Sequence, residues 1–486
     1  MKKVLIIFFI IILSQYTALS KEELIWDYDK ENFLKNVIEG KADFCNLVTQ
    51  HKMDLEVSNL LDTTLIYTNL KDCLQIAVDN NFAIKRDGSV REENLWEFQN
   101  SKAQFLPDYS YAYSIQNLSG TYLVGGIVTD DVNEVPIQNT FLLSWTITQG
   151  KAFFGYAQRK NKLKSATLKY NFTREEVIRD TAILYYELLG LKLNLEVLKS
   201  NLVDRHEQYK FTKARYDAGI GTKFDMVRAI AEEANAKQIY ISALNDLRLK
   251  QARLANVMGI EVLNAIYPGE NCISTRKLIS EEEDIEKLYN IALGCRKDVT
   301  AQKYEIEALK AERSARYSDF GPQVNVIVQN AIVGTRRLGI YPNTTVGLLV
   351  TVPIGDKLGM GTYTKIRAYN SRIEAEQFKL IELTRSVKEK IISSFYNSKT
   401  ALERIEAAEK EVKSTEESLK ISLVRLAVGE STFIDVIQAQ AVKVQAKQKL
   451  IQATIDYNKA QVQLLFDSGI ISVPNVLKDY EIPPAP

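Results

Sequence analysis

Apolar side chains recur at alternating steps of three and four over two long stretches of this chain. In the first, Leu184, Leu188, Leu191, Leu195, Leu198 and Leu202 step by 4, 3, 4, 3, 4. In the second, Ile391, Ser394, Ser398, Ala401, Ile405, Ala408, Val412, Thr415, Leu419, Ser422 and Leu426 keep the rhythm. After a break, Ile437, Ala441, Val444, Gln448, Ile451, Ile455, Asn458, Val462 and Leu465 resume it. A 3.5-residue period held this long predicts helices that supercoil left-handedly. Many of the repeat positions are small or polar, which suits several helices around a central space better than an oily two-stranded seam. Proline breaks helix interiors, and none occurs in residues 137–267 or 354–473. The stretch from Lys151 to Ala214 alone predicts a helix of about 96 Å at 1.5 Å per residue.

Elsewhere the period is two. Tyr109, Tyr111 and Tyr113 share one face of an extended segment, as do Val324, Val326 and Val328. Four strands are predicted, over about 108–118, 140–148, 323–333 and 344–354. Each has about 9–11 residues, the length a tilted strand needs to cross a bilayer, whereas soluble strands are commonly about five or six. Gly125, Gly126 and Pro136, and then Gly334, Gly339 and Pro342, predict connecting turns and loops. A pair of hairpins on a soluble domain is the alternative reading of the same strands.

The two stretches are copies of one plan. RYDAGIGTKFDMVRA (Arg215 to Ala229) realigns without a gap on RLAVGESTFIDVIQA (Arg425 to Ala439). Upstream, helix-like Leu70 to Asn81 and Asp284 to Leu293 each lead through a charged stretch to the strands. In both motifs the chain must reverse between two long helices. Gly219 and Gly429 stand where a helix end tolerates positive φ, Thr222 and Thr432 are candidate N-caps, and Asp225 and Asp435 follow three residues on, as in a capping box. The predicted organisation is an export signal over 1–20, an amino-terminal extension over 21–62, repeats over 63–270 and 271–470, and a tail over 471–486. The helical tips fall at about 216–225 and 426–435.

Composition narrows the classes. Lys2 and Lys3, the apolar run Val4 to Leu13 and Ala18-Leu19-Ser20 read as a secretory signal. The 486 residues carry a net charge of +1, which gives no footing for nucleic acid. With 2 histidines and 4 cysteines, the chain offers no metal motif and no nucleophilic triad, so neither a cofactor nor an enzymatic activity is expected. In an oxidising compartment the order of the cysteines suggests Cys45–Cys73 and Cys272–Cys295 disulfides, with free thiols as the alternative.

Four membrane-length strands cannot close a barrel, which needs about eight, and open strand edges are not tolerated in lipid. The chain is therefore expected to complete its sheet by oligomerising. At this point FLPDYSYAYS, both tip motifs and the run from Arg425 through FDSG at Gly469 resemble the outer-membrane efflux protein family, the TolC-like channels, over about Thr64 to Ile470. The resemblance implies a mainly α fold with a membrane β-barrel: a homotrimer with a twelve-stranded barrel in outer-membrane lipid and a long periplasmic helical barrel. It further implies a passive exit duct for efflux or type I secretion, working with a periplasmic adaptor protein and an inner-membrane pump or ABC exporter. Carried over position by position, Asp435 and Asp225 mark the periplasmic entrance, and Gly219, Thr222, Gly429 and Thr432 mark tips where an adaptor docks. Gln438 stands where some members carry a second aspartate, and Leu426 and Ser431 where some carry a tyrosine and a basic residue; Tyr216 is kept in the first motif, with Lys223 nearby. The resemblance thus implies a gate of similar position with altered bonding. An exported coiled-coil structural or adhesive protein is the competing class.

Overall fold

The computed structural model describes residues 65–478, apart from 116–117, 125–126, 135–136, 148–149, 263–264, 281–282, 336–338, 353–358 and 428–429. The expected export signal, the extension over 21–62, Cys45, Gly429 and the end of the tail lie outside the described residues. The first half comprises β1 (Leu65–Thr68), α1 (Leu70–Asn80), α2 (Phe82–Ala103), β2 (Asp108–Ile115), β3 (Leu118–Val124), β4 (Ile127–Glu134), β5 (Ile137–Thr146), α3 (Gly150–Asp217) and α4 (Lys223–Met258). After β6 (Ala265–Pro268), the second half comprises α5 (Ile285–Cys295), α6 (Lys297–Tyr317), β7 (Gln323–Thr335), β8 (Gly339–Thr351), α7 (Met360–Ala427) and α8 (Phe433–Asp467), with a short α9 (Val473–Val476) after it. The halves match closely: α3 and α7 each have 68 residues, α4 and α8 have 36 and 35, and α1 and α5 each have 11. Among the described residues no helix is long and apolar enough to cross a membrane.

The main sheet is antiparallel, in the order β2-β5-β7-β8. Three expectations are corrected here. The first strand stops at Ile115, and the segment read as a loop carries the hairpin β3–β4, paired from Leu118↔Glu134 to Val124↔Ile127. Ile127, Val128, Thr129 and Val132 supply the β-branched residues that strands favour, while Gly125, Gly126 and Pro136 lie outside the described residues. The last strand also runs from Gly339, five residues earlier than its apolar pattern suggested, and takes in Pro342. Proline lacks a ladder donor and is confined to sheet edges, and β8 is an edge.

A belt crosses the long helices midway. Strands β1 and β6 pair in parallel, from Leu65↔Ala265 to Thr68↔Pro268. Their core joins Leu70, Leu74 and Ala77 of α1 to Tyr185 and Leu188 of α3, Leu247, Leu254 and Met258 of α4, and Ile266 and Tyr267 of β6. The buried Lys192 ammonium donates to the carbonyls of Pro268 and Glu270, both at 2.9 Å, and to Asn271 Oδ1 at 3.0 Å. Gln461 Oε1 accepts from the backbone N–H groups of Leu278 and Ile279, and its amide donates to Ser398 Oγ. Asn458 accepts from Arg276 N and donates to Ser274 O. The polar repeat position Asn458 thus clasps the belt segment directly, and Ser398 does so through Gln461.

The end of α8 is tied down by Arg296, which is buried, binds Asp298 bidentately at 3.0 and 2.6 Å, and donates to Asp467 O at 3.2 Å. Its guanidinium lies over the rings of Phe172 and Phe466. The expected pairing of Cys272 with Cys295 is not formed: both thiols are free and exposed. Cys73 is buried and its thiol donates to Thr68 Oγ1, while its expected partner Cys45 lies outside the described residues. Even cysteine numbers permit pairing, but Cys272 sits in the belt segment and Cys295 at the end of α5, where sequence order says nothing of proximity.

Candidate functional site

The register of the sheet sorts its side chains onto two unlike faces. Tyr109, Leu143, Val328 and Val346 lie in one row; Tyr111 and Phe141 lie beside it on the same face, and Trp145, Val326 and Leu348 follow below. Val324 and Val350 extend this face further. It is uncovered in the single chain, with Tyr109 73% and Val346 72% exposed. From Phe141 to Ile147 the apolar band is about 20 Å tall at about 3.3 Å per residue. The other face carries Ser110, Ser114, Gln138, Thr140, Ser144 and Thr146, followed by Asn325, Gln329, Asn343 and Thr345, with Leu142, Ile327 and Leu349 interspersed among them. There the Thr146 hydroxyl donates to Asn325 Oδ1 at 2.6 Å. A soluble sheet packs its apolar face on another layer; here that face is bare, and the edges β2 and β8 have free ladder groups.

At the far end of the helices, the first tip is closed by backbone chemistry. Gly219 has φ +74°. Its N–H bonds Tyr216 O, and the N–H groups of Ile220 and Gly221 both bond Arg215 O, a Schellman-type termination of α3. Thr222 caps α4 by accepting from Asp225 N at 3.1 Å, and its hydroxyl donates to Asp225 Oδ2 at 2.6 Å. Tyr216 lies in the last turn of α3 and is 38% exposed. Ile220, Phe224 and Val227 are exposed around the same turn.

The second tip is polar. Asp435 Oδ2 accepts from Thr432 N at 2.8 Å, from the Thr432 hydroxyl at 2.7 Å and from the Ser431 hydroxyl at 2.9 Å. Asp435 N bonds Thr432 Oγ1 in return, which completes the capping box at the start of α8. These donors, the Thr432 hydroxyl first, hold the exposed Asp435 carboxyl below its ordinary range. Gln438 is exposed one turn further along α8. The structure thus brings together Thr222 with Asp225, and Thr432 with Asp435, each pair within its own tip. Among the described residues no hydrogen bond joins Asp225 to Asp435. Ser431, a departure from the resembling family, here becomes a third ligand of Asp435.

One set of residues escaped the sequence pattern. Just above the second tip, α3 grips α8. Arg205 Nη2 donates to Ile437 O at 3.3 Å, and Gln440 Nε2 donates to Asp204 Oδ2 at 2.7 Å. Gln208 donates to Gln440 Oε1 and accepts from Arg205 Nη1. Polar side chains on two helices that are far apart in sequence leave no periodic signature. Among the described residues no group of three or more His, Cys, Asp or Glu could hold a metal ion.

The family described as outer membrane efflux protein matches residues 99–260 and 288–469. The outer membrane efflux protein BepC of Brucella suis biovar 1 is 23% identical over 334 residues, covering 66% of this chain and 71% of BepC. The alkaline protease secretion protein AprF of Pseudomonas aeruginosa is 20% identical over 383 residues, covering 76% and 78%. Among solved structures, the outer-membrane channel OprN superposes with a TM-score of 0.73 at 17% identity, over 82% of this chain and 89% of OprN.

Proposed function

The chain belongs to the outer membrane efflux protein family, and from that premise we propose that it is the outer-membrane exit duct of a tripartite efflux or type I secretion system. The observation that carries this reading is the two-faced sheet. A bare apolar face about 20 Å tall at about 3.3 Å per residue suits hydrocarbon, and the Ser, Thr, Asn and Gln of the opposite face suit a water-filled lumen. The open edges of β2 and β8 cannot stand in lipid, so each pairs with an edge of another copy. Three copies give a twelve-stranded barrel, and the helices continue it as a periplasmic tube.

In this reading the duct is passive, and an inner-membrane pump or ABC exporter supplies the energy. Asp435, Asp225, Gln438 and Tyr216 stand at the periplasmic entrance, where a ring of aspartates would favour cations. Local bonding supports this assignment for Asp435, whose carboxylate is kept ionised by Ser431 and Thr432. A periplasmic adaptor would dock at the tips around Gly219, Thr222, Gly429 and Thr432, and the exposed Ile220 and Phe224 offer it apolar contact. The test is single-channel conductance of purified protein in a planar bilayer, wild type beside Asp435→Asn. A small, cation-preferring conductance whose selectivity falls in the variant supports the duct and its gate. Absence of conductance from folded protein would turn the reading toward an exported coiled-coil structural protein.

A further inference from the structure

The four helices that run between the belt and the sheet repeat one spacing. Ile84 of α2, Ile178 of α3, Val299 of α6 and Leu383 of α7 all pack at the belt core. Lys102, Lys160, Tyr317 and Lys365 stand 18 residues from them, each on the side toward the sheet. That interval is five turns at about 3.6 residues per turn, so each of the four shares a helix face with its belt contact, about 27 Å nearer the sheet at 1.5 Å per residue. Lys164 stands in the same relation to Ala182. All five are exposed. The belt is a packed layer, and inside a duct it would fill the lumen. In the duct reading it lies on the outer surface, and so does the face that carries these residues.

The same face leads up to the bare apolar side of the sheet. Trp145, on that side, donates its indole N–H to Phe105 O at 3.1 Å. Phe105 packs on Tyr156, Tyr156 packs on Phe98, and Lys102 Nζ lies 4.8 Å from the centre of the Phe98 ring. Leu106 and Phe153 stay exposed where sheet gives way to helix. Amphipathic rings settle at the level of lipid headgroups, and a lysine stem lies along apolar surface while its ammonium reaches the polar layer. The charge here is of one sign. Among the described residues Lys102 and Lys160 enter no ion pair, whereas Arg159 is held by Glu97. With a net charge of only +1 on the whole chain, this is a local excess and not general basicity.

We propose that Lys102, Lys160 and Lys365, with Tyr317 among them, form a collar that binds the phosphate headgroups of anionic diacyl phospholipids in the leaflet facing the helices. The proposal rests on the reading of the bare sheet face as lipid-facing. Each ammonium gains a phosphodiester oxygen as a charge-assisted partner, and the Tyr317 hydroxyl donates into the same layer. The collar thereby selects lipid by charge, which the apolar band above it cannot do.

The test reconstitutes the full-length protein into vesicles of equimolar phosphatidylglycerol and phosphatidylcholine, re-extracts it in mild detergent, and counts the lipid it carries by mass spectrometry. The wild type is expected to retain phosphatidylglycerol severalfold over phosphatidylcholine. Raising salt from about 0.1 M to about 1 M, which shortens the screening length from about 10 Å to about 3 Å, is expected to abolish the preference. Lys102→Gln with Lys160→Gln and Lys365→Gln is expected to bring the two lipids to parity, and arginine at the same three positions to keep the preference. Lys410→Gln with Lys413→Gln and Lys420→Gln, which removes equal charge from exposed positions toward the far end of α7, is expected to leave it intact. A preference that survives the collar variant, or that falls equally in the α7 control, overturns the collar. Should the wild type insert and resist carbonate extraction yet carry no excess phosphatidylglycerol, the collar is overturned and the lipid-facing sheet stands. Should it fail to insert at all, the reading of the sheet fails and the collar fails with it.

Discussion

Ser431 and Asp435 face each other across one turn at the second tip, with the serine hydroxyl donating to Asp435 Oδ2 at 2.9 Å. With the Thr432 hydroxyl and N–H on the same oxygen, the carboxylate has three donors, and its proton affinity is held down. A carboxyl whose folded value is depressed contributes stability above its unfolded value and loses it as pH falls through the folded one. Ser431→Ala is therefore expected to move the Asp435 titration upward, toward the ordinary aspartate value. Carbon-detected NMR of labelled protein, or selectivity followed against pH, reads the shift. An unmoved titration would show that the Ser431 bond contributes nothing to ionisation.

Gly469 closes the end of α8 at φ +70° beside Arg296. A Cβ there would lie 2.9 Å from Arg296 N and 2.8 Å from its Cγ. Gly469→Ala is expected to cost at least about 1–3 kcal/mol, because backbone strain and a clash with main chain act together. Gly294, near the end of α5, has nothing within 4 Å of a built Cβ. There Gly→Ala is expected to be neutral or to stabilise by up to about 1 kcal/mol through helix propensity. Thermal unfolding followed by circular dichroism separates the two variants.

Glu175 on α3 has its pKa pushed up to about 7, chiefly by burial, with Asp298 adding repulsion while Lys297 and Arg296 oppose it. A carboxyl raised in the folded state is most stabilising below its unfolded value of 4.5. That contribution is lost as pH rises through about 7. Unfolding midpoints are thus expected to fall across this window in the wild type, and the slope is expected to flatten in Glu175→Gln. Equal slopes in the two proteins would assign the pH dependence to other groups.

The long helices were legible because a 3.5-residue period needs no tertiary information: Lys151 to Ala214 as read from spacing is Gly150–Asp217 in the structure. Both tips were legible for the same reason, since Thr222 with Asp225 and Thr432 with Asp435 bond within a single turn. What was hidden depends on distant chain meeting in space. LIYT and AIYP are too short to show alternation, yet Leu65–Thr68 and Ala265–Pro268 pair across the first repeat. The Arg205 and Gln440 contacts join helices more than two hundred residues apart, and both side chains are buried between them.

Two residues of β8 on opposite faces give the sheet its sharpest test. Leu348 shares the apolar face with Val326 and Trp145, while Thr345, three residues earlier, belongs to the polar face with Gln329 and Leu142. If the apolar face meets lipid, Leu348→Arg places a charge in hydrocarbon, a cost of about 2–4 kcal/mol near the midplane. Thr345→Arg places the same side chain in a water-filled lumen, where it costs little and opposes cations. The expected outcome is a detergent-stable, membrane-inserted trimer for Thr345→Arg with reduced cation preference, and loss of insertion for Leu348→Arg. The reverse pattern would turn the sheet inside out, because a shift of one residue in register exchanges the two faces throughout.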